Sequence, residues 1–252
     1  MKVGRFVTLI LRSASFLGSV AWGICEYPFV VRSIRRTGWM QRMSRRFLWS
    51  LGGRVEVLGK VPSTGLVVCN HLGYTDIIAL GSVCPGVFVA KKDVERWPLM
   101  GLLTRMAGTI YVDRERRARV GDGLARIRKA LASGTPVVVF PEGTSSDGSS
   151  VLPFKTSLMD VTRDALVTPA AIRYRMVEGC VGREIAYWGD MAFVPHVLNL
   201  LSRGGFQCTI SFGDPVVISV ERKAASIELH GRVVRLLDQL ADDPGVIPPI
   251  DR

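Results

Sequence analysis

The sequence predicts an α/β protein, a mostly parallel sheet flanked by helices and preceded by an N-terminal membrane-associated helical pair. Two observations predict the sheet. After about residue 50, short apolar runs bounded by Gly, Pro and Asn alternate with longer amphipathic stretches. Those runs are apolar along nearly their whole length, as strands covered on both faces must be. The third observation concerns the first 50 residues, whose apolar and arginine-rich blocks lack this alternation.

Residues 6–31, FVTLILRSASFLGSVAWGICEYPFVV, are apolar apart from Arg12 and Glu26. Their uncharged part, Ser13 to Cys25, falls short of the roughly 20 residues that a membrane span needs. The next block, VRSIRRTGWMQRMSRRFLW, interleaves Arg32, Arg35, Arg36, Arg42, Arg45 and Arg46 with Trp39, Phe47 and Trp49, and no acidic residue occurs between Glu26 and Glu56. Arginines beside interfacial aromatics suit an anionic bilayer surface, whereas two core helices with a solvated basic face are the plainer alternative. Residues 1–49 are therefore expected to form a membrane-associated helical segment and 50–252 an α/β domain. Arginines on the C-terminal side of the apolar stretch would keep that domain at the cytoplasmic face.

Within the domain, LVVCN (66–70), GVFVA (86–90), TIYV (109–112), PVVVF (136–140) and VTPAAI (167–172) read as buried strands. EIAYW (184–188) and QCTISFG (207–213) read as two more. Residues 114–134 read as a helix closed by Gly134, and 221–240 as a last helix before a Pro-rich tail.

The charge balance, 33 Lys+Arg against 22 Asp+Glu and a net +11 in 252 residues, calls for an anionic partner. No nucleic-acid-binding motif or repeat accompanies it, so an anionic lipid surface or phosphorylated substrates are expected instead. Five scattered cysteines without a CxxC pair point to a reducing compartment with neither a disulfide framework nor structural zinc.

Chemistry concentrates at strand ends. In NHLGYTD, residues 70–76, His71 follows a strand, where α/β sheets place their sites. On a continuous helix His71 and Asp76 would lie about 140° apart. A turn at Leu72-Gly73 lets them meet, with Thr75 capping a helix whose first turn holds Asp76. Such an Asp fixes one imidazole tautomer and frees the other nitrogen to accept a proton. A structural histidine bonded to backbone is an equally good reading of the pair alone. FPEGTSS, residues 140–146, follows another strand and combines Glu142 with Gly143, Thr144, Ser145 and Ser146. By itself it reads as a turn; neither GxSxG nor a phosphate-binding Gly-Lys-Ser/Thr loop occurs. GTIYVDR (108–114) ends in Arg114, and Ala90-Lys91-Lys92 adds base.

Together these blocks resemble the glycerolipid acyltransferase family that includes the 1-acylglycerol-3-phosphate (lysophosphatidic acid) acyltransferases, with the lyso-ornithine lipid acyltransferases as relatives. Asn70, His71 and Asp76 match its first block. Gly108, Ile110, Val112 and Arg114 match the second, Phe140 to Thr144 the third, and Val167, Pro169 and Ile172 the fourth. The resemblance implies acyl transfer from acyl-CoA or acyl carrier protein to a lysolipid hydroxyl, without metal or other cofactor. It implies His71 as base and Asp76 as its orienting carboxylate. Backbone amides after His71 would serve as oxyanion donors, and Glu142, Gly143, Thr144, Ser145, Lys91 and Arg114 would contact substrate. The N-terminal helices would help form an apolar groove for the acyl tail. Ser145 stands where the family carries Arg, which leaves two acceptors open: 1-acylglycerol-3-phosphate, placed first, or a phosphate-free lysolipid such as lyso-ornithine lipid. A lipid hydrolase and a non-catalytic membrane adaptor are the distant alternatives.

Overall fold

The structure is a computed structural model; it describes residues 3–30, 36–97, 99–113, 117–163, 165–176 and 178–242. Helix α1 (Val3–Val30) and helix α2 (Arg36–Ser50) come first, followed by strand β1 (Gly53–Leu58). There follow β2 (Leu66–Cys69), α3 (Tyr74–Val83), β3 (Val87–Lys91), α4 (Met100–Met106), β4 (Ile110–Val112), α5 (Arg117–Ala132), β5 (Val137–Val139) and β6 (Leu166–Met176). Helices α6 (Val181–Glu184) and α7 (Phe193–Leu201), strands β7 (Phe206–Phe212) and β8 (Val216–Val217), and α8 (Arg222–Asp242) complete the chain.

The strands form one sheet in the order β1-β7-β6-β2-β5-β3-β4, with β8 beside β6. All neighbours are parallel except β6–β7 and β6–β8. Both faces are buried, as the continuous apolar runs predict. Leu66 and Val68 face one core while Val67 and Cys69 face the other. Helix α8 presents Ala225, Leu229 and Val233 at four-residue spacing to the first of these cores. Helix α5 ends in a two-bond cap, Gly134 N–H to Leu131 and Thr135 N–H to Ala130, with Gly134 at φ +74°. That placement agrees with the expectation for Gly134.

Three sequence expectations change. EIAYW is not a strand: α6 ends at Glu184, and the amides of Ala186 and Tyr187 bond to Val181 and Leu72 rather than to a sheet neighbour. Strand β1, whose alternating burial matches RVEVL, was not anticipated, nor were α4 and α7. Thr75 is not the cap of α3. Gly73 occupies that place, and Asp76, three residues on, reaches back to its N–H, which is half of a capping box.

Helix α1 runs unbroken for 28 residues, long and apolar enough to cross a bilayer, although few of its residues are buried. It is nevertheless tied to the body at several points. Arg12 donates to the carbonyls of Leu51 and Arg203, Ser15 bonds Ser50 at 2.8 Å, and Glu26 pairs with Arg42. Helix α2 sends Trp39, Met43 and Phe47 into the core beneath the sheet. A Cβ on Gly81 of α3 would come within 2.5 Å of Ser44 Oγ, so glycine permits this close approach of α2 to α3.

Candidate active site

The site lies at the carboxyl ends of β2, β5 and β3. Where β2 stops, Asn70 continues its ladder with a side chain. Its amide donates to Ile172 O at 3.0 Å and accepts from Ile172 N–H at 2.8 Å, copying a backbone pair on β6. The main chain is thereby released to turn away at His71. Gly73 permits that turn, because a Cβ there would sit 2.9 Å from the backbone nitrogen and Cβ of Tyr187.

His71 Nδ1 is 2.8 Å from Asp76 Oδ2. The same oxygen accepts the N–H of Leu72 at 2.6 Å and of Gly73 at 2.9 Å, while Oδ1 accepts the Tyr174 hydroxyl at 2.8 Å. Asp76 is wholly buried, so these four donors replace water around its charge. The ring of His71 stacks on Phe140 at 4.1 Å and 15°. With Nδ1 committed to Asp76, Nε2 is the nitrogen able to accept a proton.

A second loop holds the first. Glu142 is 1% exposed; its oxygens accept the N–H of His71 at 2.7 Å and of Leu152 at 2.9 Å. Ser146 N–H donates to His71 O at 3.0 Å. Burial pushes the Glu142 carboxyl up to about 7, against the two amide bonds and His71, which favour its charge. Gly143 adopts φ +77°, a left-handed turn that suits glycine.

Beside His71 opens an apolar cavity of about 330 Å³. Its walls come from α1 and α2 (Phe16, Met43), α3 (Ile77, Ile78) and α4 (Leu103), with Tyr187 and Phe193 packed on Tyr74. The N-terminal helices thus contribute walls to this apolar cavity.

The expected site residues divide. His71, Lys91, Gly143, Thr144 and Ser145 line the cavity, and Asp76 stands behind His71. Glu142 does not line it; both oxygens grip backbone, and it acts by holding the His71 loop. Ser145 donates its hydroxyl to Tyr187 O. Lys91 is ion-paired with Asp93 at 2.8 Å. Arg114 lies outside the described residues. Of the backbone amides after His71 expected as oxyanion donors, those of Leu72 and Gly73 at the turn are taken by Asp76. Sequence reasoning missed Tyr174 and Tyr187. Tyr174 sits 98 residues from Asp76 and joins it only through the pairing of β2 with β6.

Residues 54–180 match the family model described as Acyltransferase. A lyso-ornithine lipid O-acyltransferase of Rhizobium meliloti (strain 1021) is 36% identical over 226 residues, 79% of this chain and 77% of that one. A 1-acyl-sn-glycerol-3-phosphate acyltransferase of Neisseria meningitidis is 35% identical over 115 residues, 45% of each chain. The crystal structure of the 1-acyl-sn-glycerophosphate acyltransferase from Thermotoga maritima superposes with a TM-score of 0.67 at 18% identity, covering 94% of this chain and 98% of that one, which establishes the shared fold. By sequence, this chain belongs to the acyltransferase family.

Proposed function

We propose that the protein transfers a fatty acyl group from a thioester, acyl-CoA or acyl carrier protein, to the free hydroxyl of a lysolipid. The observation that carries this reading is the His71–Asp76 pair at the wall of an apolar cavity. His71 Nε2 takes the hydroxyl proton as the acceptor oxygen attacks the thioester carbonyl, and Asp76 stabilises the imidazolium. The carbon–sulfur bond then breaks, and the thiolate recovers the proton from His71. The thioester is already activated, so no side-chain nucleophile is needed. The first-turn amides of Tyr74 and Thr75, at the positive end of α3, are the backbone donors assigned to the oxyanion.

For the acceptor, sequence alone places 1-acylglycerol-3-phosphate first. Two facts of the site favour the phosphate-free alternative, a lysolipid of the lyso-ornithine type. Ser145, which carries no charge, already spends its hydroxyl on Tyr187 O, and the one lysine lining the cavity, Lys91, is paired with Asp93. A phosphomonoester would meet no dedicated bidentate cation among the described residues of this wall. The lyso-ornithine lipid O-acyltransferase relatives of Rhizobium meliloti and Brucella abortus, matched over 77% and 90% of their lengths, support the same choice. The test is competition between both acceptors for one acyl donor. The phosphate-free lysolipid is expected to win by more than about tenfold in kcat/KM, which is about 1.4 kcal/mol. Preference for the phosphate would return the assignment to 1-acylglycerol-3-phosphate.

The chain is read as lying on an anionic membrane at its cytoplasmic face. The ties of Arg12, Ser15 and Glu26 hold one side of α1 against the body, and Phe6, Ile10, Leu11, Leu17 and Phe29 remain exposed on the helix. The double substitution Leu11→Glu, Leu17→Glu is expected to release the folded protein from sedimenting anionic vesicles. Undiminished sedimentation would move the anchor elsewhere.

A further inference from the structure

Tyr174 has no part in the chemistry derived so far, yet it touches the centre of it. It is 5% exposed near the carboxyl end of β6, opposite Cys208 of β7, and its ring meets Phe206 edge-on at 5.8 Å. Its hydroxyl reaches Asp76 Oδ1 at 2.8 Å. The other three donors, His71 Nδ1 and the amides of Leu72 and Gly73, all converge on Oδ2. Among the described residues, no lysine or arginine pairs with Asp76. The partners of this fully buried carboxyl are therefore backbone amides, a histidine and a phenol, and among the described residues Tyr174 alone serves one of its two oxygens. Burial and the charge of Asp76 both push the Tyr174 phenol well above its ordinary range, so it stays a donor at every working pH.

We propose that Tyr174 is a positioning residue for acyl transfer, acting through Asp76 to fix the orientation and basicity of His71. A carboxylate bonded only at Oδ2 can rotate about its Cβ–Cγ bond and carry Oδ2 out of line with Nδ1. The bond at Oδ1 blocks that rotation from the far side. It also draws negative charge toward Oδ1, which leaves less of it facing the imidazole. Both effects cross from β6 to the loop after β2, so the strand pairing itself sets the base.

This proposal rests on His71 being the base, and the test separates the two. Tyr174→Phe keeps the ring and its contact with Phe206. In the full-length protein kcat is expected to fall about tenfold, as for loss of a hydrogen bond to a charged group. KM for the acyl donor stays unchanged. The acid limb of the kcat/KM profile moves to higher pH, because Asp76 then presents more charge to His71. In an Asp76→Asn background the same substitution is expected to change turnover little. Incorporating 3-fluorotyrosine at position 174, a more acidic phenol of nearly the same size, is expected to move the acid limb to lower pH. An unmoved limb in both variants, or equal losses with and without Asp76→Asn, would overturn the role of Tyr174. If His71→Ala also retained turnover, the reading of His71 as base would fall first.

Discussion

The face of the sheet covered by α5 and α8 and the face covered by α2, α3 and α7 draw on the same strands, alternate residue by alternate residue. On the first, Val68, Val139, Ile127, Leu229 and Val233 close into an aliphatic core. On the second, Val67, Val138 and Phe140 begin the same way, but the layer above them holds buried Asn70, Asp76 and the Tyr174 hydroxyl beside a cavity of about 330 Å³. The strands are equally apolar on both sides. The difference arises at the strand ends and in the covering helices, where buried Asn70, Asp76 and Glu142 have each been given partners. One face contributes stability alone, and the other gives up close packing for a site.

The sharpest way to break this contrast is a pair of substitutions, one per face. His71→Ala is expected to leave a folded protein whose acyl transfer is down by at least about a hundredfold, as for loss of a general base. Ile127→Ala, on the closed face, is expected to cost about 2–5 kcal/mol of stability while turnover per folded molecule stays the same. Thioester consumption and denaturant unfolding on both variants decide it. Normal turnover by folded His71→Ala protein would dissolve the distinction between the faces.

A smaller effect concerns Glu142, where the second face sets function against stability. Burial raises its folded carboxyl to about 7 from the ordinary 4.5. Between those values the native state holds more proton than the unfolded one. This group's contribution to stability is thus complete below about 4.5 and lost as pH rises through about 7. The ionised form is the one that accepts both the His71 and Leu152 amides without placing a proton against either. Glu142→Gln is expected to flatten the pH dependence of unfolding across this window. It should also lower kcat by about tenfold, since its NH2 must face one of the two amides at roughly 1–3 kcal/mol. An unchanged slope of stability with pH would show that Glu142 titrates normally.

Much of this was legible in the chain. Five of the buried strands announce themselves because a strand covered on both faces must be apolar throughout. The His71 and Glu142 motifs announce themselves because a histidine and a glutamate directly after such strands have no place in a core. EIAYW misled for the same reason: Ile185 and Ala186 are fully buried, but within a turn whose amides bond α6 and the His71 loop. Burial leaves a mark on composition, whereas the direction of a backbone N–H does not.

What the sequence determined by itself was the set of local conditions: apolar runs for the strands, a Gly after His71 so that the chain can turn, and an Asp at the right distance to return. Tertiary structure decided which groups those conditions serve. Asp76 could have been shared with any donor; β2 lying beside β6 brought it Tyr174 from 98 residues away. Glu142 was expected in the pocket, and its burial turned it inward to the backbone of His71. Two of the amides expected to wait for an oxyanion, those of Leu72 and Gly73, were claimed by Asp76. In each case the reason is the same. A buried charge or amide without a partner costs several kcal/mol, and the partner that meets this need is chosen by the packing of distant segments.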